Sequence, residues 1–178
     1  MTEHELRSMI DGLAGLPYGG EPVDQRQHAL QSAALAQAEG ADDELILAAL
    51  LHDIGRAKSV ARKYRGAGHD EAGQKFCREI LSERVAWLVG SHAQAKRYLV
   101  TTLPEYASLL TPASVRSLEV QGGRMTPDEV RRFEAHPWSK DALRLRRWDD
   151  GAKDPTAPGV DLDEMIALYA GRRRAGAK

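Results

Sequence analysis

One adjacent pair, His52 and Asp53, most constrains how this chain can fold, because it follows an apolar run and three more histidines flank it at wide intervals. Those histidines are His28, His69 and His92. A carboxylate can bridge two cations through its two oxygens, and each neutral imidazole gives one nitrogen lone pair to one cation. The pattern therefore predicts a two-metal centre, bridged by Asp53, in a fold that brings four separate segments together.

Length and composition place few other constraints on the chain. Its 178 residues, of which 42% are hydrophobic, fit one domain covering 1–178 with a sizeable core. Because 25 basic and 26 acidic residues give a net charge of -1, we expect no nucleic-acid or anionic-membrane partner. The N-terminal segment lacks an apolar signal region and no run approaches the roughly 18 apolar residues of a membrane span, so we expect a cytoplasmic protein. The oligomeric state stays open.

Helical periodicity and helix boundary signals predict an all-α fold. A helix should begin after the N-cap Asp24 and carry His28 one turn in, and 42–53 has apolar residues at helical spacing. The basic, glycine-punctuated stretch 55–68 indicates a mobile loop with room for one short helix. Further helices are expected over 70–80, from Ser82 past His92, after Pro112, after Thr126, over 138–153 and over 161–170. The basic tail 171–178 should be frayed, and no stretch indicates a strand.

Each histidine taken singly fits a hydrogen-bonded helix residue as well as a metal ligand. Taken together, four histidines and an aspartate near the ends of separate predicted helices favour a shared cavity. Imidazole and carboxylate ligands without thiolates indicate iron, manganese or another divalent ion rather than a structural cysteine-zinc site. His4 lies in the terminus and His136 precedes a proline, so neither is included.

Three motifs resemble the signature of the HD-domain superfamily, which has a histidine, a His-Asp pair and a later aspartate. They correspond to His28, to His52 with Asp53, and to Asp149 near the end of the chain. Asp150 competes for the last position, and because a helix turns about 100° per residue the two cannot face the metals equally; the position of the motif favours Asp149. The resemblance implies an HD-domain helical bundle, in which His69 and His92 supply ligands of a second metal.

Several stretches resemble one small branch of that superfamily, the mixed-valence di-iron oxygenases typified by 2-amino-1-hydroxyethylphosphonate dioxygenase (glycine-forming). The matching stretches are 18–21 with 27–33, 91–99, 110–118 and 146–153. In the first of them, Tyr18 and Glu21 lie three residues apart and the first metal ligand follows seven residues later. The resemblance extends over nearly the whole chain, and chance is an inadequate explanation for separate matches of this length.

This resemblance implies a metal arrangement and a reaction. Two iron ions, Fe(II) and Fe(III) in the active form, would be held by two ligand sets that share one aspartate. The first set is His28, His52, Asp53 and Asp149, and the second is Asp53, His69 and His92, which leaves open positions on its iron. The pair would use O2 to abstract the C1 hydrogen of a small organophosphonate, after which carbon–phosphorus cleavage would yield phosphate and a carboxylic acid such as glycine.

Four side chains are implicated in holding the phosphonate. Lys96 and Arg146 each lie one turn from a metal ligand and so share its helix face. Ser114 and Ser117 share a face near a predicted helix start, where hydroxyls and free N–H groups suit phosphonate oxygens. The plainer alternatives are surface charges for Lys96 and Arg146, and helix caps for the serines.

Tyr18 and Glu21 distinguish the resembled branch from plain HD phosphohydrolases. The resemblance implies that the tyrosine occupies the open iron site before substrate arrives, and that the glutamate contacts the substrate's amino group. The catalytic set would then be Tyr18, Glu21, Lys96 and Arg146. Without the flanking match, the two residues would be a loop tyrosine and a solvated acid.

Arg56 is the clearest departure from the resembled family, which commonly has histidine at this position. Arginine could hold the phosphonate with a larger fixed charge, but it cannot tune proton transfer because it does not deprotonate. The departure leaves the substrate open between 2-amino-1-hydroxyethylphosphonate and an N-methylated or quaternary-ammonium analogue.

Two other functions stay open at this point. The main alternative is an HD phosphohydrolase that acts on a nucleotide or phosphomonoester, with the metals activating water instead of oxygen. The other is a non-catalytic ligand-binding HD module. Such a module should lack one or more of the six ligands, and this chain keeps all six.

Overall fold

The computed structural model describes residues 1–176 of the chain. Over these residues the protein is built from eleven α-helices and one short 3-10 turn, Ile54–Arg56, and it contains no strand beyond an isolated bridge between Pro17 and Asp24. The helices are α1 (Glu3–Asp11), α2 (Gln25–Ala38), α3 (Asp43–Leu51), α4 (Lys58–Lys63), α5 (His69–Ile80), α6 (Glu83–Thr102), α7 (Tyr106–Leu109), α8 (Pro112–Val120), α9 (Pro127–Glu134), α10 (Ser139–Gly151) and α11 (Leu162–Gly176). The prediction of an all-α fold is confirmed.

Polar caps begin the helices where the sequence predicts them. The side chains of Asp24, Ser82 and Thr126 each accept a hydrogen bond from the backbone N–H three residues on, which starts α2, α6 and α9 respectively. Asp24 and Thr126 also form complete capping boxes. These caps fix where α2 and α6 begin, and those two helices carry His28 and His92.

The centre of the bundle is α3, in which every residue from Leu45 to Leu51 is buried. It packs against α2, α6, α10 and α11, while α5 packs along α6. A helix that is apolar on all sides has to lie in the core. Because α3 ends directly before the His-Asp pair, its burial carries both side chains into the interior.

The helix bounds differ from the predicted ones at both ends of the chain. Helix α1 was not predicted, although Thr2 and Glu5 form a capping box and Leu6 and Ile10 bury its inner face. Helix α11 continues beyond residue 170 to Gly176, so it includes most of the tail that was expected to fray; residues 177 and 178 lie outside the described part. An ion pair between Arg172 and Glu44 ties this extension to α3.

The segments that were expected to be irregular also contain helices. The basic stretch 55–68 holds α4, the one short helix for which it had room, and 101–123 holds both α7 and α8 where one helix was expected. None of the helices in the described part combines the length and the hydrophobicity that crossing a membrane would require.

Gly55 permits the closest backbone approach in the fold. A Cβ atom built on this glycine would lie 1.9 Å from the carbonyl oxygen of His69 and 3.0 Å from the backbone nitrogen of Gly73. Both obstacles are backbone atoms, which cannot rotate away as the end of a side chain can. Only glycine therefore lets the 3-10 turn after Asp53 lie directly on the first turn of α5.

We predict that Gly55→Ala lowers the free energy of unfolding by about 1–3 kcal/mol, because the added methyl must push α5 away from the turn. Thermal unfolding measured by circular dichroism or calorimetry tests this. Gly171→Ala is the matched control: its Cβ would meet no atom within 4 Å, so stability should stay the same or rise by about 0.5–1 kcal/mol. Equal stability of Gly55→Ala and the wild type would contradict the close approach.

Candidate metal centre and substrate cavity

The structure brings the six predicted ligands together from five segments of the chain. His28 lies in α2, His52 and Asp53 directly follow α3, His69 is the first residue of α5, His92 lies in α6, and Asp149 lies near the end of α10. Five of the six are buried, and His69 is partly exposed. The helices packed around α3 thus bring the six predicted ligands into one cluster at the end of α3.

His28, His52 and Asp149 form the first half of this cluster. The Nε2 atoms of His28 and His52 are 2.9 Å apart. Asp149 Oδ1 lies 3.3 Å from His28 Nε2 and 3.8 Å from His52 Nε2. Asp53 closes this half, with its Oδ2 4.0 Å from His52 Nε2. The arrangement points two nitrogens and two carboxylates at one small volume.

Asp53, His69 and His92 form the second half. Asp53 Oδ1 lies 3.2 Å from His69 Nε2 and 3.8 Å from His92 Nε2, and the two Nε2 atoms are 3.2 Å apart. This Asp53 oxygen is buried and accepts no well-aligned hydrogen bond within the described part of the chain. Asp53 therefore directs one oxygen at each half, as a bridging ligand must.

Three of the histidines are held in one tautomer by the backbone. Each places its Nδ1 atom 2.7–2.8 Å from a carbonyl oxygen: His28 from that of Ala152, His52 from that of Ala49, and His92 from that of Val89. A carbonyl can only accept, so Nδ1 carries the hydrogen and Nε2 presents a lone pair. The Nε2 lone pairs of His28 and His52 consequently face each other, and a cation between them would relieve this contact.

Burial and neighbouring charges keep the ligands in the states that a cation needs. Burial lowers the pKa of His52, and burial followed by His69 lowers that of His92 to about 3, so both imidazoles are neutral near pH 7. Burial alone would raise the pKa of Asp53, but Arg56 together with His69 and His52 outweighs burial and holds that pKa well below its usual range. The cluster thus combines an ionised Asp53 with neutral His52 and His92.

Asp149 and Asp150 have different surroundings. Asp149 turns inward, and burial alone would raise its pKa. Arg146, whose NH1 lies 2.6 Å from Asp149 Oδ2, together with His52 and His28 outweighs burial and holds that pKa well below the usual range. Asp150 points to the other side, where it accepts hydrogen bonds from Tyr106 and Arg146. Of the two candidates for the last ligand, the structure brings only Asp149 to the histidines.

A cavity of about 120 Å³ opens beside both halves. Its walls include Tyr18, Glu21, Asp53, Arg56, His69, His92, Lys96, Ser114, Ser117, Arg146 and Asp149. Every residue predicted to contact substrate therefore lines one space, together with four of the six predicted ligands. The lining is strongly polar and combines cationic side chains with hydroxyl groups, which suits a small anion.

Lys96 and the two serines form one side of the cavity. Lys96 is buried in α6, and its Nζ donates a hydrogen bond of 2.7 Å to Ser117 Oγ. Burial, and then the nearby Arg146, lower the pKa of Lys96 to about 8. Ser114 lies one turn before Ser117 at the start of α8, where Thr111 is the N-cap. The surface-charge alternative is thus wrong for Lys96, and equally for Arg146, which is 3% exposed.

Tyr18 and Glu21 approach the cavity from the loop before α2. The Tyr18 ring stacks on His28 with centroids 3.8 Å apart, and its hydroxyl donates a hydrogen bond of 2.9 Å to Asp149 Oδ1. Burial, and then Asp149, raise the pKa of this phenol well above its usual value. Glu21 has its carboxylate 3.8 Å from the Nζ atom of Lys153. The expected role of Tyr18, to occupy the open position of the second half before substrate arrives, stays a prediction, because its hydroxyl contacts Asp149 of the first half.

Arg56 lies at the mouth of the second half. Its Nε is 3.1 Å from Asp53 Oδ2, and its NH2 group lies 3.3 Å from His69 Nε2. The side chain is 39% exposed. Arg56 therefore contacts two predicted ligands directly, which its position three residues after Asp53 in the sequence does not by itself reveal.

Sequence reasoning missed three residues at this site. Gln25 and Gln121 line the cavity, each with a buried Oε1 that accepts no hydrogen bond within the described part, and Lys153 faces Glu21. Gln25 could have been found, because it precedes His28 by three residues on the same helix face. No comparable signal marks Gln121 or Lys153.

The donor set fits a pair of divalent or trivalent ions better than a structural zinc site. All its donors are imidazole nitrogens and carboxylate oxygens, and the buried Asp53 Oδ1 lacks a hydrogen-bond donor. Such donors suit iron and manganese. Ligand atoms of three residues lie within 4.8 Å of one another in each half: His28, His52 and Asp53 in the first, and Asp53, His69 and His92 in the second.

Comparison with known proteins gives consistent matches. The model of the HD domain matches residues 26–132. The chain is 38% identical over 141 residues to a [1-hydroxy-2-(trimethylamino)ethyl]phosphonate dioxygenase (glycine-betaine-forming) of Leisingera caerulea, covering 76% of this chain and 72% of the relative. It is also 38% identical over 159 residues to a hydroxymethylphosphonate dioxygenase of Gimesia maris, with 84% and 78% covered. An uncharacterized protein of Acanthamoeba polyphaga mimivirus is 34% identical over 153 residues, with 82% and 70% covered.

We predict that His92→Ala reduces the number of metal ions bound at saturation by one per chain, because it removes a ligand from the second half only. Metal content after anaerobic loading with Fe(II) or Mn(II), measured by mass spectrometry, tests this. His136→Ala is the control, since His136 stacks on Trp87 away from the cluster, and it should bind as much metal as the wild type. Unchanged metal content in His92→Ala would remove His92 from the ligands.

Proposed function

This chain belongs to the HD-domain family, and from that premise we propose that it is an O2-dependent enzyme that cleaves the carbon–phosphorus bond of a small 1-hydroxyphosphonate. The observation that carries the proposal is the pairing of two imidazole-carboxylate clusters, joined by Asp53, with a small cationic cavity. Two relatives that are named phosphonate dioxygenases support the same reaction class.

The proposed cofactor is a pair of iron ions, Fe(II) and Fe(III) in the active form. His28, His52, Asp53 and Asp149 would hold one ion, and Asp53, His69 and His92 would hold the other. The second ion would have fewer protein ligands, which would leave room for substrate oxygens. Bound irons would supply the oxygen activation that removes the C1 hydrogen of the substrate.

The overall reaction balances without any other reactant. A 1-hydroxyphosphonate and one O2 contain the same atoms as a carboxylic acid and phosphate, so the carbon is oxidised while O2 is reduced. The carbon–phosphorus bond breaks, and both oxygen atoms of O2 are accounted for by the new bonds to carbon and phosphorus. No external electron donor is needed.

The protein's own part is to bind and orient the anion. Lys96 and Arg146 would contact the phosphonate from the cavity wall, Arg56 from its mouth, and Ser114 and Ser117 would donate hydroxyl hydrogens. Charged hydrogen bonds of this kind are stronger than neutral ones. Arg146 is already fixed by Asp149 and Asp150, so it presents its remaining N–H groups without having to be ordered by the substrate.

Tyr18 and Glu21 would control which molecules reach the metals. The Tyr18 phenol, stacked on His28, covers the cluster from the loop side and would exclude water until substrate displaces it. Glu21 would face the end of the substrate remote from phosphorus, where a cationic group favours a carboxylate. Lys153 partly offsets the charge of Glu21, which would also allow a substrate without an amine, and the cavity of about 120 Å³ limits substrate size.

The phosphohydrolase alternative gains no support from the named relatives, which are dioxygenases. A phosphohydrolase could nevertheless bind its metals with the same ligands, because metals bridged by a carboxylate can activate water. An experiment that separates the two reactions therefore has to vary oxygen as well as substrate.

We predict that iron-loaded protein releases phosphate from at least one of three compounds, with one O2 consumed per phosphate: hydroxymethylphosphonate, 2-amino-1-hydroxyethylphosphonate or its trimethylamino analogue. Phosphate colorimetry and an oxygen electrode measure the two quantities. Anaerobic samples should release none. Oxygen-independent release from nucleotides or phosphomonoesters, without release from the phosphonates, would assign the protein to the hydrolases.

We also predict that the affinity of metal-loaded protein for methylphosphonate falls as pH rises through about 8. Lys96 is charged below its pKa of about 8, whereas above it binding requires uptake of a proton and weakens by up to about tenfold per pH unit. Bound metal ions would lower the pKa of Lys96 further, so the fall in affinity would begin at a lower pH. Lys96→Arg keeps its charge over this range and should lack the fall; the same pH slope in both proteins would contradict the assignment.

A further inference from the structure

Arg56 interacts with ligand atoms of both halves: His69 Nε2 of the second, and Asp53 Oδ2, which points at the first. Its guanidinium donates toward His69 Nε2 at 3.3 Å and lies 3.1 Å from Asp53 Oδ2. The nitrogen lone pair of a neutral imidazole can accept one hydrogen or bind one cation, but not both. Arg56 in this position therefore excludes a metal from His69.

The first half meets Arg56 only at Asp53 Oδ2. Its other ligand atoms are the Nε2 atoms of His28 and His52 and the Oδ1 atom of Asp149, and the last of these accepts a hydrogen bond from the neutral Tyr18. Arg146 is the nearest fixed cation, but it contacts Asp149 through the other oxygen, Oδ2. The two halves thus differ in how many of their ligand residues Arg56 contacts: Asp53 alone among the four of the first half, but both Asp53 and His69 among the three of the second.

Arg56 is also exposed enough to move away from Asp53 and His69. Its side chain is 39% exposed, compared with 4% for Arg146, and it lines the same cavity as Lys96. A guanidinium pairs well with the oxygens of a phosphonate or phosphate. An anion in the cavity therefore offers Arg56 an alternative partner a short movement away.

Resting on the metal centre proposed above, we propose that Arg56 is a tethered counterion of the second half, which holds Asp53 and His69 until an anion draws it into the cavity. Arg56 then hinders the first half only through Asp53, while metal binding at the second half and anion binding in the cavity strengthen each other. Such coupling is reciprocal, because each ligand favours the same displaced position of Arg56.

The first test compares metal affinities of the wild type, Arg56→Gln and Arg62→Gln by anaerobic calorimetric titration with Mn(II), supported by competition with a chelator. Arg62 is an exposed arginine in α4, so its substitution changes the net charge equally without touching the cluster. Arg56→Gln should tighten the weaker of the two binding steps by about tenfold or more, the effect expected from removing a charged hydrogen bond. The stronger step should tighten by a smaller factor than the weaker one, and both steps in Arg62→Gln should stay within about twofold of the wild type.

The second test uses the wild type itself and does not depend on enzymatic turnover. Methylphosphonate should tighten the weaker Mn(II) step of the wild type by a larger factor than that of Arg56→Gln, in which no counterion has to move. Equal affinities for the weaker step in wild type and Arg56→Gln, or equal effects of methylphosphonate on both, would overturn the role of Arg56. Absence of Mn(II) binding to all three folded proteins would instead overturn the metal centre, and the inference with it.

Discussion

Asp53 is an ionised carboxylate with only 4% of its surface exposed, and burying such a group costs several kcal/mol unless cations and hydrogen-bond donors compensate. In this bundle the compensation comes from different directions: Arg56 on one side and imidazole groups on the other. Arg56 lies in the 3-10 turn directly after Asp53, whereas His69 and His92 are brought by α5 and α6. The packing of α5 and α6 beside the end of α3 is therefore also the arrangement that makes this buried charge tolerable.

The backbone does much of the positioning. Carbonyl oxygens fix the tautomers of three histidines, and the one that holds His28 belongs to Ala152, which directly follows α10. Arg146 similarly spans Asp149 and Asp150. Because these supports are backbone groups and short side-chain contacts within buried helices, His28, His52, His92 and Asp149 need little reorganisation to bind an ion.

The sequence predicted features that depend on residues within one helical turn, and it did not predict contacts between distant segments. Caps such as Asp24 and Ser82 act within one turn, and they placed the starts of α2 and α6 correctly. The Thr2–Glu5 capping box is equally local and was available for α1. Contacts between distant segments leave no such signal: nothing in the sequence pairs Lys153 with Glu21, and the choice of Asp149 over Asp150 came from a resemblance, since helix rotation separates them but does not say which faces inward.

The Glu21–Lys153 pair lies on loops, whereas the metal ligands lie on or directly beside the packed helices. Substitutions in these loops alter few core contacts and so cost little stability. The part of the site proposed to meet the far end of the substrate can therefore diverge while the metal centre stays the same. A lineage with this framework can acquire a new nutrient source by a few loop changes, without passing through forms that have lost the chemistry.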